Sequence, residues 1–298
     1  IDKYGLRGAA AQAPKTTMAE VKKLPRCEEL PAEKLPCAVY LAEDGTLGIA
    51  WEKGVYTMTP MEVQMACDCL LGRLDCICHD MKTTMHRLDE LDIGFGSFVF
   101  DTALAAYDLN PSQSDYPVSK LATTFLGKNV EDSDPCACAE AIWHLKSFLA
   151  DALKAEGMEP LYQQIEFPLC AVLYKMEKQG VAIDAVQLKQ FGQMLSDRIS
   201  DCEKVIFSYA EEPFNINSTK QLGQLLFEKL GLPPIKKTKT GYSTNADVLE
   251  KLKTKHPIIP AIMDYRMLTK LKSTYADGLI KEIREDGRIH TTFQNLVT

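Results

Sequence analysis

Short apolar runs separated by turn residues begin the patterned part of the chain. Three such runs lie close together, at residues 38–41, 47–51 and 55–58. Asp44-Gly45 lies between the first two, and Lys53-Gly54 lies between the last two. Short apolar segments joined by tight, glycine-containing turns are typical of antiparallel strands. The sequence therefore predicts a β-meander that begins near residue 37.

Helical and strand-like segments alternate after the meander. Their apolar spacing predicts helices at 60–71, 82–91 and 102–109, with strands at 76–78 and 97–100. This alternation is typical of an α/β domain in which helices cover a sheet. We expect the domain to span residues 36–158, after a linker at 1–35 that is rich in Ala, Pro and Lys.

The second half of the chain is predicted to be almost entirely helical. Apolar residues recur at helical spacing within four stretches: 161–176, 188–206, 222–230 and about 259–283. Helix ends are expected at residues of the appropriate type: Gly180 and Gly231 after helices, Asp184 and Ser218 before them. Ser243 or Thr244 is expected to begin a further helix. We expect this helical domain to span residues 159–298.

Charge is distributed unevenly between the two halves. The whole chain has a formal net charge of −7, but residues 160–298 hold 19 basic and 16 acidic residues. Within them, residues 215–275 hold 11 basic and 4 acidic residues. A local excess of positive charge in an acidic protein indicates that one module faces a polyanion and the other does not.

Ten cysteines raise the question of a metal site. Six of them form Cys-x-Cys pairs: Cys67/Cys69, Cys76/Cys78 and Cys136/Cys138. Zinc sites usually separate their cysteines by two to four residues, and free cysteines commonly behave as small buried hydrophobic residues. We therefore interpret the thiols as reduced and buried, and we predict neither a metal nor a cofactor in this chain.

No run of 18 apolar residues occurs in the sequence, and no basic stretch followed by an apolar one begins it. We therefore predict no membrane span and no secretion signal, and we expect a cytoplasmic protein.

Polar residues form one face of the last predicted helix. Arg266, Lys270, Ser273 and Thr274 follow the spacing i, i+4, i+7 and i+8. The predicted helix starts at Ser218 and Ser243 and a lysine-rich loop at 236–239 supply further donors. Phosphate contacts in protein–DNA complexes come from such groups. From the pattern alone, the alternatives are a DNA-backbone contact and a basic face exposed to solvent.

Several segments of this half resemble the thumb of family A DNA polymerases, in unbroken order from about residue 160 to 298. The segments are FNINSTKQLGQLLFEKLGLP (214–233), KKTKTGYST (236–244), YR (265–266), KLKSTY (270–275) and GRIHTTF (287–293). The thumb of that family is a mainly α-helical subdomain that closes along the minor-groove side of primer-template duplex. The resemblance implies backbone contacts by Asn215, Asn217, Ser218, Lys220, Lys237, Thr238, Lys239, Thr240, Ser243, Thr244, Arg266, Lys270, Ser273 and Thr274.

The segment FVFDTALAAYDLNP (98–111) is similar to part of the 3′-5′ exonuclease domain of the same family. That domain has an α/β ribonuclease-H-like fold, and its active form uses four carboxylates to hold two divalent metal ions. Most of those carboxylates are missing here. The first strand lacks its Asp-x-Glu, the helix Asp corresponds to Thr84, and the Tyr and Asp of the third motif correspond to Cys136 and Glu140. We interpret Asp101 as a structural residue, which cannot bind two metal ions alone. We therefore expect no proofreading.

The resemblance also bears on polymerase chemistry. In the family, the palm and fingers follow the segment at 288–293 and bind Mg²⁺ and dNTPs. We therefore expect this chain to be a truncated fragment that ends at the start of the palm. It would be inactive alone, although its parent would be a DNA-directed DNA polymerase acting on primer-template DNA in bacterial DNA replication and repair. We expect a monomer associated with the nucleoid. The alternatives are an active 3′-5′ exonuclease and a non-enzymatic DNA-binding scaffold.

Overall fold

The computed structural model describes residues 23–29, 35–71, 74–210, 213–238 and 241–297, without the side chains of 66–71 and 237–238. Most of the predicted linker at 1–35 therefore lies outside the described residues. The chain forms two compact units: unit 1 is Ile1–Lys178 with Thr292–Thr298, and unit 2 is Gln179–Thr291.

A mixed sheet lies at the centre of unit 1. Its strands are β1 (Pro36–Leu41), β2 (Leu47–Trp51), β3 (Gly54–Met58), β4 (Asp75–Cys78) and β5 (Ser97–Asp101). The strand order is β3-β2-β1-β4-β5. Strand β2 is antiparallel to both neighbours, whereas β1, β4 and β5 pair in parallel. The predicted meander and the two later strands are thus confirmed.

Helices alternate with the later strands and follow the sheet. They are α1 (Pro60–Leu71), α2 (Met81–Glu90), α3 (Thr102–Leu109), α4 (Val118–Leu121), α5 (Pro135–Ala155), α6 (Glu159–Leu161) and α7 (Phe167–Gln179). Helices α4 and α6 continue as π-helical turns, Ala122–Leu126 and Tyr162–Glu166. The three helices expected between and after the strands are confirmed within one residue at each end.

Helix α5 packs against the sheet through an unusually close approach to β2. A Cβ atom on Gly48 would lie 1.8 Å from the carbonyl oxygen of Pro135, so only glycine fits there. Ile142, Leu145 and Leu149 of α5 are fully buried in the core. At about 25 cal/mol per Å² of apolar surface, these side chains stabilise the unit by several kcal/mol.

The boundary between the units falls at residue 178, about twenty residues after the sequence-based boundary of 158. Tyr162, Cys170 and Tyr174 are buried in the core of unit 1. The start of the helical half therefore packs with the sheet, and helical content alone does not mark where the second unit begins.

Unit 2 is mainly helical. Its elements are β6 (Val181–Ala182), α8 (Ala185–Ser208), α9 (Thr219–Gly223), β7 (Lys237–Thr238), β8 (Gly241–Tyr242), α10 (Ala246–Leu252), α11 (Ile258–Lys270), α12 (Asp277–Lys281) and β9 (Arg288–Ile289). Helix α9 continues as a π-helical turn at Gln224–Lys229, and Leu271–Ala276 forms another between α11 and α12. Strands β6 and β9 pair, as do β7 and β8.

Most of the predicted helix ends in unit 2 are confirmed. Gly180 and Gly231 have φ values of +63° and +64°, and Asp184 caps α8 through the N–H groups of Val186 and Gln187. The predicted helix start at Ser243 or Thr244 is wrong. Asn245 caps α10 instead, because its side chain accepts the N–H of Val248 and leaves the two preceding residues in the connecting segment.

The apolar stripe of the last long helix also differs from the prediction at one position. A regular helix through 259–283 would place Tyr275 on the apolar face, but Tyr275 is half exposed, whereas Ala276 is fully buried. The N–H of Asp277 bonds to the carbonyl of Lys272, five residues back. This π-helical turn shifts the register by one residue, so a strict 3.6-residue period fails there.

Candidate functional sites

A cleft of about 280 Å³ lies where the parallel strands of unit 1 end. Its walls include Tyr40 and Leu41 at the end of β1, and His79 and Asp80 after β4. Ala103, in the first turn of α3, lies on the β5 side of the cleft. Carboxyl ends of parallel strands commonly carry the functional residues of open sheets.

Asp101 holds together the two helix starts beside this cleft. Its buried carboxylate accepts the N–H groups of Asp80 and Met81, at 2.9 and 2.7 Å, and those of Ala103 and Leu104, at 2.9 and 3.2 Å. Burial raises its pKa to about 6. Since its carboxylate oxygens already accept hydrogen bonds from the first N–H groups of α2 and α3, Asp101 has a structural role.

The acid that lines the cleft, Asp80, caps α2, where its carboxylate accepts from the N–H and the hydroxyl of Thr83 at 3.1 and 2.7 Å. The Thr84 hydroxyl donates to the carbonyl of Asp80 at 2.9 Å. The guanidinium of Arg87 lines the cleft and donates to the carbonyls of Leu41 and Ala42, just after β1. A fixed cation thus lies beside the end of the first strand.

Glu140 does not line the cleft. It lies on α5, where its carboxylate accepts the N–H of Leu24 at 3.0 Å and lies 3.7 Å from Lys128 Nζ. The structure therefore does not bring Glu140 together with Thr84 and Asp101. Over the ranges that the structure describes, no three His, Cys, Asp or Glu side chains could hold a metal ion. The donor set does not fit a two-metal site.

A buried ion cluster next to the core of unit 1 was not predicted. The carboxylate of Glu177 accepts from Lys82 Nζ at 2.9 Å, from His86 Nε2 at 2.6 Å and from the main-chain N–H of Phe293 at 2.6 Å. It links α2, α7 and the segment at 292–297. Because Lys82 and Glu177 are 95 residues apart, no local pattern could have indicated the pair.

Unit 2 brings three segments of the predicted DNA-contacting set together. The ring of Tyr242, in β8, lies 4.9 Å from that of Phe227, in the turn that continues α9. Helix α9 itself also lies close to β8, since a Cβ on Gly223 would make an ordinary van der Waals contact with Tyr242 at 3.5 Å. Arg266 of α11 binds the oxygens of Thr244, just after the hairpin. Strand β8 and the residues that follow it therefore contact α9 with its continuation and α11.

The predicted contact residues differ in exposure. Six are exposed: Asn215, Asn217, Lys220, Lys270, Ser273 and Thr274. Ser218 and Arg266 are half-buried, and Ser243 and Thr244 are buried. The side chains of Lys237 and Thr238, and all of Lys239 and Thr240, lie outside the described residues. Phosphate contact by any of these residues stays a prediction.

The loop before α9 is held by its own hydrogen bonds. Asn215 accepts the N–H of Asn217 at 3.0 Å, and Ser218 caps α9 by accepting the N–H of Gln221 at 3.4 Å. The side chain of Gln221 accepts the N–H of Asn215 at 2.8 Å, so it forms no capping box with Ser218. Asn215 and Asn217 are thus presented at the start of a capped helix.

Two lysines on the last long helix differ in their partners. Within the described residues Lys270 is exposed and forms no ion pair, whereas Lys272 Nζ lies 2.5 Å from the carboxylate of Asp277. Lys270 can therefore meet an anion without breaking a contact, and Lys272 cannot. Burial lowers the pKa of Arg266, whose guanidinium is engaged with Thr244.

None of the helices described is long and apolar enough to cross a membrane.

Comparison with known proteins identifies relatives along most of the chain. The profile of DNA polymerase family A matches residues 185–298. DNA polymerase I of Bacillus subtilis (strain 168) is 41% identical over 221 residues, which cover 67% of this chain and 25% of that protein. DNA polymerase I of Geobacillus stearothermophilus is 41% identical over 240 residues, covering 74% of this chain and 27% of that protein. The chain thus spans about a quarter of the length of these curated relatives.

A solved structure extends the similarity to the fold. The polymerase domain of Pol1 from M. smegmatis, in complex with DNA primer-template and dNTP, matches 88% of this chain and 49% of that chain. The TM-score is 0.73 at 31% sequence identity. Taken together, these matches show that the chain belongs to DNA polymerase family A.

Proposed function

We propose that this chain is part of a DNA-directed DNA polymerase of the DNA polymerase I type, and that unit 2 is the thumb that grips primer-template duplex. The solved relative from M. smegmatis was obtained with primer-template DNA and dNTP, which supports this class of partner. The Mg²⁺ and the dNTPs of the reaction are requirements of the whole polymerase, and no described residue is assigned to them. The protein would work as a monomer on the bacterial nucleoid, in the cytoplasm.

The observation that carries the proposal is the junction of α9, the β7–β8 hairpin and α11. The Phe227–Tyr242 ring contact and the Arg266–Thr244 hydrogen bonds hold the three segments together. Exposed amide, hydroxyl and ammonium groups lie on these segments, at Asn217, Lys220 and Lys270 among others. Such donors bind phosphates without sequence preference.

We propose further that unit 1 is a degenerate 3′-5′ exonuclease-like domain. The strand order β3-β2-β1-β4-β5, with only β2 reversed, supports a ribonuclease-H-like fold. Loss of hydrolysis is supported by the cleft, which Thr84 and Arg87 line and whose acid, Asp80, caps α2. The neighbouring Asp101 is engaged by four N–H groups. Two-metal hydrolysis needs several carboxylates around one point.

The test is a titration of fluorescent duplex DNA with the full chain at several salt concentrations. Two unrelated sequences should bind with similar affinity, and the affinity should fall as salt rises. Lys270→Ala should weaken binding to both sequences and reduce the salt slope by about 0.9, one phosphate contact.

Lys272→Ala is the matched control, because it removes the same charge two residues away from a lysine already paired with Asp277. It should change the slope little. If both variants bind like the wild-type protein and salt has no effect, unit 2 does not grip DNA and a scaffold with another partner replaces this proposal.

A further inference from the structure

A second basic surface lies at the far end of α10. Lys251, Lys253 and Lys255 alternate with Leu252 and Thr254, and all three lysines are exposed. None of them belongs to the contacts predicted from the sequence. Here this group is called the α10 lysine turn.

The turn is rigid, because both of its ends are fixed. Leu252 and Ile258 are almost completely buried. The N–H of Lys255 bonds to the carbonyl of Leu252 at 2.8 Å, and His256 accepts the N–H of Ile258 at 3.2 Å while its ring packs against Tyr209. The three lysine side chains therefore project from a backbone of fixed shape. This reduces the entropy lost when a ligand binds their ammonium groups.

Little negative charge opposes these lysines. In the described part of the chain, Glu250 is the acid that pairs with them, at 3.2 Å from Lys253, and both side chains of this pair are more than half exposed. Exposed pairs of this kind contribute little and exchange readily. The turn thus keeps a surplus of about two positive charges, at the negative end of a helix, where cations are favoured.

The position of the turn connects it to the gripping surface. Asn245, the residue after Thr244, caps α10, whose seven residues are about 10 Å long. One strand of duplex DNA advances about 3.4 Å per phosphate, so about three phosphates span that distance. A backbone that passes the hairpin along α10 therefore reaches the lysine turn within the same half-turn of duplex.

We propose that Lys251, Lys253 and Lys255 form a second contact with the sugar-phosphate backbone of double-stranded DNA. The contact extends the footprint of unit 2 beyond the α9, hairpin and α11 surface. This inference rests on the proposed function of unit 2. It adds affinity without sequence preference, because phosphates carry no base information.

The experiment compares the triple variant Lys251→Ala, Lys253→Ala, Lys255→Ala with the wild-type full chain on fluorescent duplexes of increasing length. On long duplexes, the triple variant should reduce the salt slope by about 2 to 3, the value for two to three phosphate contacts. On duplexes too short to reach both surfaces, wild-type protein and variant should bind alike. A charge-matched control replaces Lys146, Lys154 and Lys175, three exposed lysines of unit 1. Circular dichroism melts confirm that every variant is folded.

The outcomes separate this inference from the proposed function. A weaker, less salt-sensitive triple variant with an unchanged control supports the second contact. Equal losses in both triple variants overturn it, because net charge alone would then explain them. A triple variant that binds like wild type, while Lys270→Ala binds less tightly, also overturns it but leaves the gripping function in place. If neither the triple variant nor Lys270→Ala weakens binding, and binding does not depend on salt, both the second contact and the gripping function are overturned.

Discussion

Arg266 donates hydrogen bonds to both oxygens of Thr244, the main-chain carbonyl and the buried hydroxyl. The two residues lie 22 positions apart and tie α11 to the segment that follows the hairpin. The sequence indicated both as phosphate contacts. In the structure Arg266 also forms hydrogen bonds within unit 2. A substitution of Arg266 should therefore affect the stability of unit 2 as well as its affinity for DNA.

We therefore expect Arg266→Ala to lower the free energy of unfolding of unit 2 by about 1.5–3 kcal/mol, the contribution of a hydrogen bond to a charged group. Arg266→Lys should lower it nearly as much, because an ammonium group cannot reproduce the planar two-donor geometry. Urea unfolding, followed by circular dichroism, measures both. A Lys variant as stable as the wild-type protein would show that charge alone matters at this position.

The buried cluster of Glu177, Lys82 and His86 should be essential for unit 1. Glu177→Gln leaves the ammonium group of Lys82 buried without its counter-charge, at a cost of about 3 kcal/mol or more. Adding Lys82→Met removes the orphaned charge, so the double variant should regain much of that loss. Thermal melts of the three proteins test this, and a double variant less stable than Glu177→Gln would contradict it.

The same cluster predicts a pH dependence. Burial raises the pKa of Glu177, but hydrogen bonds from Lys82, the Phe293 N–H and His86 outweigh it and hold the pKa below the usual value of 4.5. A depressed pKa stabilises the fold above the unfolded-state value, and this stabilisation is lost as the pH falls through the folded-state value. The stability advantage of wild type over Glu177→Gln should therefore be full at neutral pH and shrink below about pH 4.5. An advantage that grows in acid would contradict the assignment.

Gly180 and Gly231 each follow a helix and adopt a left-handed φ value, but their surroundings differ. A Cβ on Gly180 would lie 2.9 Å from the His290 ring and from the carbonyl of Ile289, whereas nothing lies within 4 Å at Gly231. Gly231→Ala should cost about 1–2 kcal/mol from backbone strain. Gly180→Ala should cost about 1–3 kcal/mol more, from overpacking. Unfolding midpoints in urea give the comparison, and equal midpoints would refute the close approach.

The cleft of unit 1 should not degrade DNA. Single-stranded DNA labelled at its 5′ end and incubated with Mg²⁺ or Mn²⁺ should keep its full length, while an active 3′-5′ exonuclease shortens it in a parallel reaction. Thr84→Asp should remain inactive, because Asp101 is saturated by four N–H groups and Arg87 still lies beside β1. Metal-dependent shortening by the wild-type protein would sink the idea of a degenerate domain.

Local patterns were sufficient where local physics decides the structure. The strands at 47–51 and 55–58 and the caps at Asp184 and Gly231 follow from alternation and from backbone preferences within a few residues. The helix start at Asn245 was missed because Ser243, Thr244 and Asn245 all suit a cap. In the structure the side chain of Asn245 provides the cap, while the oxygens of Thr244 accept from Arg266.

Distant contacts were invisible to the sequence. The position of Glu140 depends on its contacts with Leu24, 116 residues away, and with Lys128, 12 residues away. The displacement of Tyr275 arises from a π-helical turn, which a regular helical period does not contain. The resemblance to a family indicated which segments to consider as DNA contacts. The hydrogen-bond partners of individual side chains could be identified only from the three-dimensional structure.

The pairing of β6 with β9 places Val181 opposite Ile289, so the two ends of unit 2 lie about 5 Å apart. A module with neighbouring ends can replace a surface loop of an unrelated host without stretching either polypeptide. We therefore expect residues 181–289 to tolerate insertion into a surface loop of a protein that does not bind nucleic acids. Any nucleic-acid affinity of that chimera would come from the inserted residues alone.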